Sequence, residues 1–198
     1  MVKTKKAATL IELIMTMLII SIVAAAVAGA VIFFIQLFVY SPRQLDTQKI
    51  ADELNSIIIE GNPDARGLRY TRNIIDASAV QFSYSYGYPA AALSARFRWD
   101  SGDGHIYRST SSDQGTSWSA EGAVPYYISA LTTIDGKDTP GAIFIYKKAL
   151  DADWISGVDA LVDIRRVIIN FNVQTATGNF DDWQGSTNLT SSAEIKSF

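Results

Sequence analysis

Glu12 is the first residue whose type and place invite chemistry. It stands at the head of an apolar run: from Leu13 to Tyr40 no residue is charged, and the polar ones are only Thr16, Ser21 and Gln36. A carboxylate about one turn into hydrocarbon costs up to roughly 2.5–3.5 kcal/mol, less near a helix end, so it either snorkels to the headgroups or meets a counter-charge. His105, the sole histidine, opens a strand-like segment with no obvious carboxylate or nucleophile beside it, and reads as a surface or half-buried strand residue rather than a general base. Asp100-Ser101-Gly102-Asp103-Gly104 has the oxygen density of a calcium loop. Counted from Asp100, however, Gly102 takes the third place and Ser111 the twelfth, where an EF-hand needs ligands, so a tight turn is expected. No phosphate loop, nucleophile elbow or metal tetrad is present. The expectation is a chain that is not an enzyme, with no catalytic residue, metal or cofactor.

Composition narrows the classes further. The chain has 198 residues and no cysteine, so disulfides and thiolate metal sites are excluded. A net charge of −3 without a basic stripe argues against a nucleic-acid partner. The charge-free run exceeds the roughly 20 residues that cross a bilayer and the roughly 7–15 of a secretory signal core. Lys3, Lys5 and Lys6 precede it, which by the positive-inside rule places the N-terminus in the cytoplasm and the rest of the chain across the membrane.

The order at the head of the run is basic leader, Ala7-Ala8, then Thr9-Leu10-Ile11-Glu12-Leu13, then the apolar helix. This resembles the signal of type IV prepilins and type II secretion pseudopilins, with alanine where the family usually has glycine before the cut and an aromatic after it. The resemblance implies cleavage between Ala7 and Ala8 by a prepilin peptidase and N-methylation of Ala8. It also implies assembly contacts through Thr9, Leu10, Ile11, Glu12 and Leu13, with Glu12 pairing with the new N-terminus of a neighbouring subunit. The implied partners are other pilin or pseudopilin subunits, the peptidase, an assembly platform in the membrane and the bilayer. The implied location is the bacterial cytoplasmic membrane as a single-pass protein, then a pilus or pseudopilus. Removing the three leader lysines from 17 basic residues leaves 14 against 20 acidic ones, an acidic mature chain.

Periodicity gives an α+β order, a long apolar helix followed by strands, and the resemblance implies a pilin-like fold: a leader over 1–7, a transmembrane and assembly helix over 8–40, an amphipathic continuation over 41–61, and an exported antiparallel β domain over 62–198. Ile50, Leu54, Ile57 and Ile58 form a helical stripe, and Gly61 and Pro63 supply a stop. Ser41-Pro42 marks either a capped restart of the helix or a kink. Small residues around Gly29 favour close helix contact. Strands are expected at 79–84, 93–99, 142–146 and 165–174, with turns at Gly102-Asp103-Gly104, Asp135-Gly136, Pro140-Gly141 and Thr177-Gly178-Asn179. Phe82, Tyr84, Tyr86 and Tyr88 have period two and read as one strand face. The succession FRWDSGDGHIYRS, IFIYKK, IRRVIINFNVQT and LTSSAEI resembles the larger minor pilins and the J-type minor pseudopilin, implying a minor subunit.

Ser111 to Trp118, SSDQGTSW, fits the Asp-box pattern. In proteins that carry it, the aspartate accepts backbone hydrogen bonds, the glycine takes a conformation others avoid, and the tryptophan packs beneath. Ser111, Asp113, Gly115 and Trp118 are therefore expected to build a structural hairpin turn, a single copy being a poor sign of sugar chemistry. Asn188-Leu189-Thr190 spells a glycosylation sequon, read as a chance match. A permanently anchored single-pass protein with an exported sugar- or protein-binding β domain is the alternative.

Overall fold

The computed structural model describes residues 9–87, 93–126, 128, 131–175 and 185–195. The chain divides into two compact units, Met1–Pro42 and Arg43–Phe198.

In the first unit the long helix α1 (Leu10–Ile59) begins. Every residue from Leu10 to Phe38 is exposed. Among the described residues α1 is the one helix long and apolar enough to cross a membrane. The expected restart at Ser41-Pro42 does not occur: α1 is assigned without interruption through Pro42.

The second unit begins with the last turns of α1. Its stripe Ile50, Leu54 and Ile58 is buried, with Ala51 and Thr47 beside it and Ile57 half-buried. The helix stops because Gly61 has φ +92, and a side chain there would meet Ala65 O at 2.3 Å. The short hairpin of β1 (Gly61–Asn62) and β2 (Ala65–Arg66) turns the chain away.

An antiparallel five-stranded sheet follows, in the order β3 (Asn73–Ala77), β4 (Gln81–Tyr86), β5 (Leu93–Asp100), β6 (His105–Ser111) and β7 (Gly122–Val124). A second antiparallel sheet is built on β10 (Arg166–Thr175). β11 (Ser186–Glu194) lies on one side of it, and β8 (Thr132–Gly136) and β9 (Phe144–Lys147) share the other. Phe82, Tyr84, Phe97, Phe144, Val167, Ile169, Phe171 and Val173 join the α1 stripe in one buried cluster. Rings hold the sheets together, with Phe82 5.8 Å from Tyr146 and 6.2 Å from Phe144 between centroids.

Two expected strands start later than their sequence pattern. Ser78 N–H and Oγ close a turn on Gln81 O, so β4 begins at Gln81 rather than residue 79. Ala142 N–H closes a turn on Thr139 O, so β9 begins at Phe144. β3, β7 and β8 are not legible in the pattern: β7 is too short, β3 carries weak alternation, and Asp135-Gly136, expected as a turn, instead ends β8, paired with Asn172 and Phe171 of β10. Tyr88 and the turn 177–179 lie outside the described residues.

Candidate functional site

The head of α1 is locally determined. Thr9 precedes the first helical residue, its N–H donates to Glu12 Oε2 at 2.9 Å, and Glu12 N–H donates to Thr9 Oγ1 at 3.4 Å. This reciprocal pair is a capping box, which satisfies two donors that a helix start leaves orphaned. Leu13 N–H reaches Thr9 O at 3.2 Å, and Thr16 Oγ1 donates to Glu12 O. A carboxylate in the first turn also meets the positive end of the helix dipole, worth about 0.3–1 kcal/mol at an exposed site. Besides snorkelling or meeting a counter-charge, Glu12 thus serves as a capping acceptor, a role signalled in the sequence by Thr-x-x-Glu directly before an apolar run. Leu10, Ile11, Glu12 and Leu13 are all exposed, which leaves the Glu12 head available to a neighbour while it caps its own helix. Ala7 and Ala8 lie outside the described residues.

The turn from Ser111 to Trp118 is organised around one carboxylate. Asp113 Oδ1 accepts Ser111 Oγ–H at 2.6 Å and Ser117 N–H at 2.9 Å, and Oδ2 accepts the Ser117 hydroxyl. The hydroxyls of Ser111 and Ser117, and then the Ser117 N–H, pull the Asp113 carboxyl down to about 2. Gly115 has φ +86, and a side chain there would meet Trp118 at 3.1 Å. Trp118 is half-buried, with the Arg96 guanidinium over its ring at 4.8 Å. Arg96 and Arg98 both bind Glu121, and Arg98 also binds Asp100 at 2.8 Å, so charge pairs brace this face. Arg98 holds the carboxyls of Glu121 and Asp100 below their ordinary range.

The turn from Asp100 to Gly104 is tight, as its composition requires. Asp100 Oδ1 accepts Gly102 N–H at 2.8 Å, Asp103 Oδ1 accepts His105 N–H at 3.0 Å, and Gly104 has φ +68. His105 differs from its expected setting: it is buried, its Nε2 lies 3.0 Å from Thr132 O, and Asp103 Oδ2 is 3.8 Å from its Nδ1. A partner carboxylate is therefore present, supplied by the turn two residues earlier. The imidazole is tied to a backbone carbonyl of β8. Trp99 Nε1–H donates to Ile134 O at 2.6 Å, a second tie from the β5–β6 hairpin to the same strand.

Between this hairpin and the β8–β10 surface lies a groove of about 1030 Å³, lined by Trp99, Asp103, Tyr107, Asp135, Lys137 and Asn172 among others. Its carboxylates are already engaged. Asp103 Oδ2 accepts Tyr107 Oη–H at 2.5 Å, and Asp135 Oδ1 accepts the N–H groups of Gly136 and Gly141 at 2.7 and 2.8 Å. The groove offers hydrogen-bonding and aromatic surface, and the His105–Asp103 pair described above is part of its lining.

Among the described residues no three His, Cys, Asp or Glu side chains gather as a metal site. Asn188 and Thr190 of the sequon sit inside β11, paired to β10. Compared with known proteins, the chain matches no family model, no curated protein and no solved structure.

Proposed function

We propose that the chain is a prepilin-like structural subunit, a minor one, that assembles through α1 into a type IV pilus or a type II secretion pseudopilus, and that it is not an enzyme. The observation that carries this reading is Thr9-Leu10-Ile11-Glu12-Leu13 at the head of a helix whose residues from Leu13 to Tyr40 hold no charge. An exposed apolar helix of this length needs a bilayer or neighbouring helices to cover it, and a subunit that passes from membrane to fibre uses both. In this reading the leader 1–7 is removed and Ala8 is methylated. The Arg43–Phe198 unit is carried across the cytoplasmic membrane, and Glu12 supplies the one specific charge contact among packed apolar helices.

The test is the intact mass of the full chain co-expressed with a prepilin peptidase. Loss of residues 1 to 7, with or without one methyl, is the expected result. An unshortened chain in the presence of active peptidase would overturn the reading.

The groove beside Trp99 and Tyr107 favours a second reading, a permanently anchored single-pass protein whose exported β unit binds a sugar or a protein. Retention of the leader together with ligand-induced shifts at Trp99 would favour it.

A further inference from the structure

The free edge of β11 is built differently from every other described edge of the two sheets. In the ladder with β10, Thr175 N–H donates to Gly185 O at 3.1 Å and Ile195 N–H to Arg165 O at 2.8 Å, and the pairing between them keeps one register throughout. Odd-numbered residues of β11 therefore spend their backbone groups on β10, and Ser186, Asn188, Thr190, Ser192 and Glu194 turn theirs outward. Ser186 is covered within the chain. Gln44 Nε2–H donates to Ser186 O at 2.9 Å and Gln44 Oε1 accepts Ser186 N–H at 3.2 Å, the pair of bonds a neighbouring strand would make. No hydrogen bond among the described residues reaches the backbone of Asn188, Thr190 or Ser192 from outside.

The other edges are covered, interrupted or short. β8 is met by Gly104 O at Ile134 N–H, by Trp99 at Ile134 O and by His105 at Thr132 O. β9 is covered by Asp153, bridged to Lys147, and by Trp154 N–H on Tyr146 O. β3 is broken by a bulge between Ile74 and Asp76, and β7 has only three residues. β11 has nine residues, with no proline, no lysine and no bulge, and Glu194 is its only charge. Those omitted features are the ones that keep natural edges from pairing.

We infer that β11 is an interaction surface for the same strand of a second copy of this chain, joined antiparallel across the stretch Asn188–Ser192. Centred on Thr190, the pairing sets Thr190 opposite Thr190 and Asn188 opposite Ser192; the Thr190 hydroxyl is already bonded within its own chain to Asn170 Oδ1 at 2.8 Å and met by Lys137 Nζ at 3.4 Å, so the new contact rests on the outward backbone groups and the Asn188–Ser192 pairs. Antiparallel pairing also sends the two Glu194 carboxylates to opposite ends, where a parallel pairing would set them side by side. Both Gln44 amides stay in place. The contact does not depend on leader cleavage or on assembly through α1.

Because the chain has no cysteine, one introduced thiol reports on one place. The full chain in detergent micelles carrying Thr190→Cys is treated with a bis-maleimide short enough to span only neighbouring strands. The expected covalent dimer exceeds, by several-fold, that of Ser112→Cys, an exposed site on the Asp113 turn. Adding Ser192→Pro is expected to return the yield to the control level. That proline removes an outward N–H and no ladder bond, so the sheet survives it. In the unsubstituted chain, the amides of Asn188, Thr190 and Ser192 are expected to gain protection from hydrogen exchange as protein concentration rises. A yield equal to that of Ser112→Cys, indifference to Ser192→Pro, or amide exchange independent of concentration would each overturn the inference.

Discussion

Thr9 and Glu12 hold each other across the first turn of α1, the Thr9 N–H on Glu12 Oε2 at 2.9 Å and the Glu12 N–H on Thr9 Oγ1 at 3.4 Å. A glutamate that would be costly deeper in the apolar segment is thus placed where a helix start needs an acceptor. Capping and charge can be separated by substitution. Glutamine at N3 still completes a capping box, whereas alanine does not. Glu12→Gln is expected to leave amide exchange in the first turn of α1 nearly unchanged, and Glu12→Ala to speed it, corresponding to about 1 kcal/mol of lost capping. If Glu12 acts in assembly through its charge, Glu12→Gln abolishes filament incorporation while keeping the protected first turn. Incorporation unaffected by Glu12→Gln would leave the cap as the residue's whole role.

The turn centred on Asp113 has a defined pH response. Its carboxyl is lowered to about 2 from an ordinary 3.8 by the hydroxyls and N–H that face it. A depressed acid stabilises the fold above its unfolded pKa and loses that contribution as pH falls through the folded one. The contribution is therefore complete above about pH 4 and disappears towards pH 2. A carbon-detected titration of the Asp113 carboxyl should give a midpoint well below that of free aspartate. Asp113→Ala should lower the thermal midpoint at pH 7 and narrow its gap from the unsubstituted chain at pH 2.

Gly61 ends α1 with φ +92, and its neighbours leave no room for a side chain, Ala65 O lying 2.3 Å from the place a Cβ would take. Gly61→Ala should destabilise the β-rich unit by more than about 1 kcal/mol, since strain and overlap add to an already unfavourable conformation. Urea unfolding followed by tryptophan emission measures this. Gly122→Ala, at a glycine with open space around it, is the neutral control.

Trp99 and His105 fasten the β5–β6 hairpin to the edge of β8 by bonds to Ile134 O and Thr132 O. Trp99→Phe keeps most of the ring's packing and removes the donor, leaving Ile134 O without it. The expected loss is about 1 kcal/mol, near the usual net worth of one neutral hydrogen bond. Faster exchange of the Ile134 amide, which is bonded to Gly104 O at 2.6 Å, should accompany it, because the hairpin is then held less firmly.

Local pattern by itself determined the long helix and the strands with strong alternation, but not β3, β7 or β8. A charge-free run makes an apolar helix wherever it lies. The stripe at Ile50, Leu54 and Ile58 buries one helix face, and alternation through Val167, Ile169, Phe171 and Val173 makes β10 a strand with one apolar face. The turn at Asp113 is likewise legible, because its hydrogen bonds join residues no more than four apart. The capping box is equally local, since its two bonds join Thr9 and Glu12, three residues apart, and the same carboxylate that reads as a charge serves there as an acceptor. Tertiary structure alone decided what lies far apart in the chain. It brought Gln44 to Ser186 across 142 residues, tied His105 to a carbonyl of β8, and divided one side of β10 between β8 and β9. Strand pairing and the covering of edges depend on which backbone groups meet in space, and the period of side chains along one strand carries no record of its neighbour.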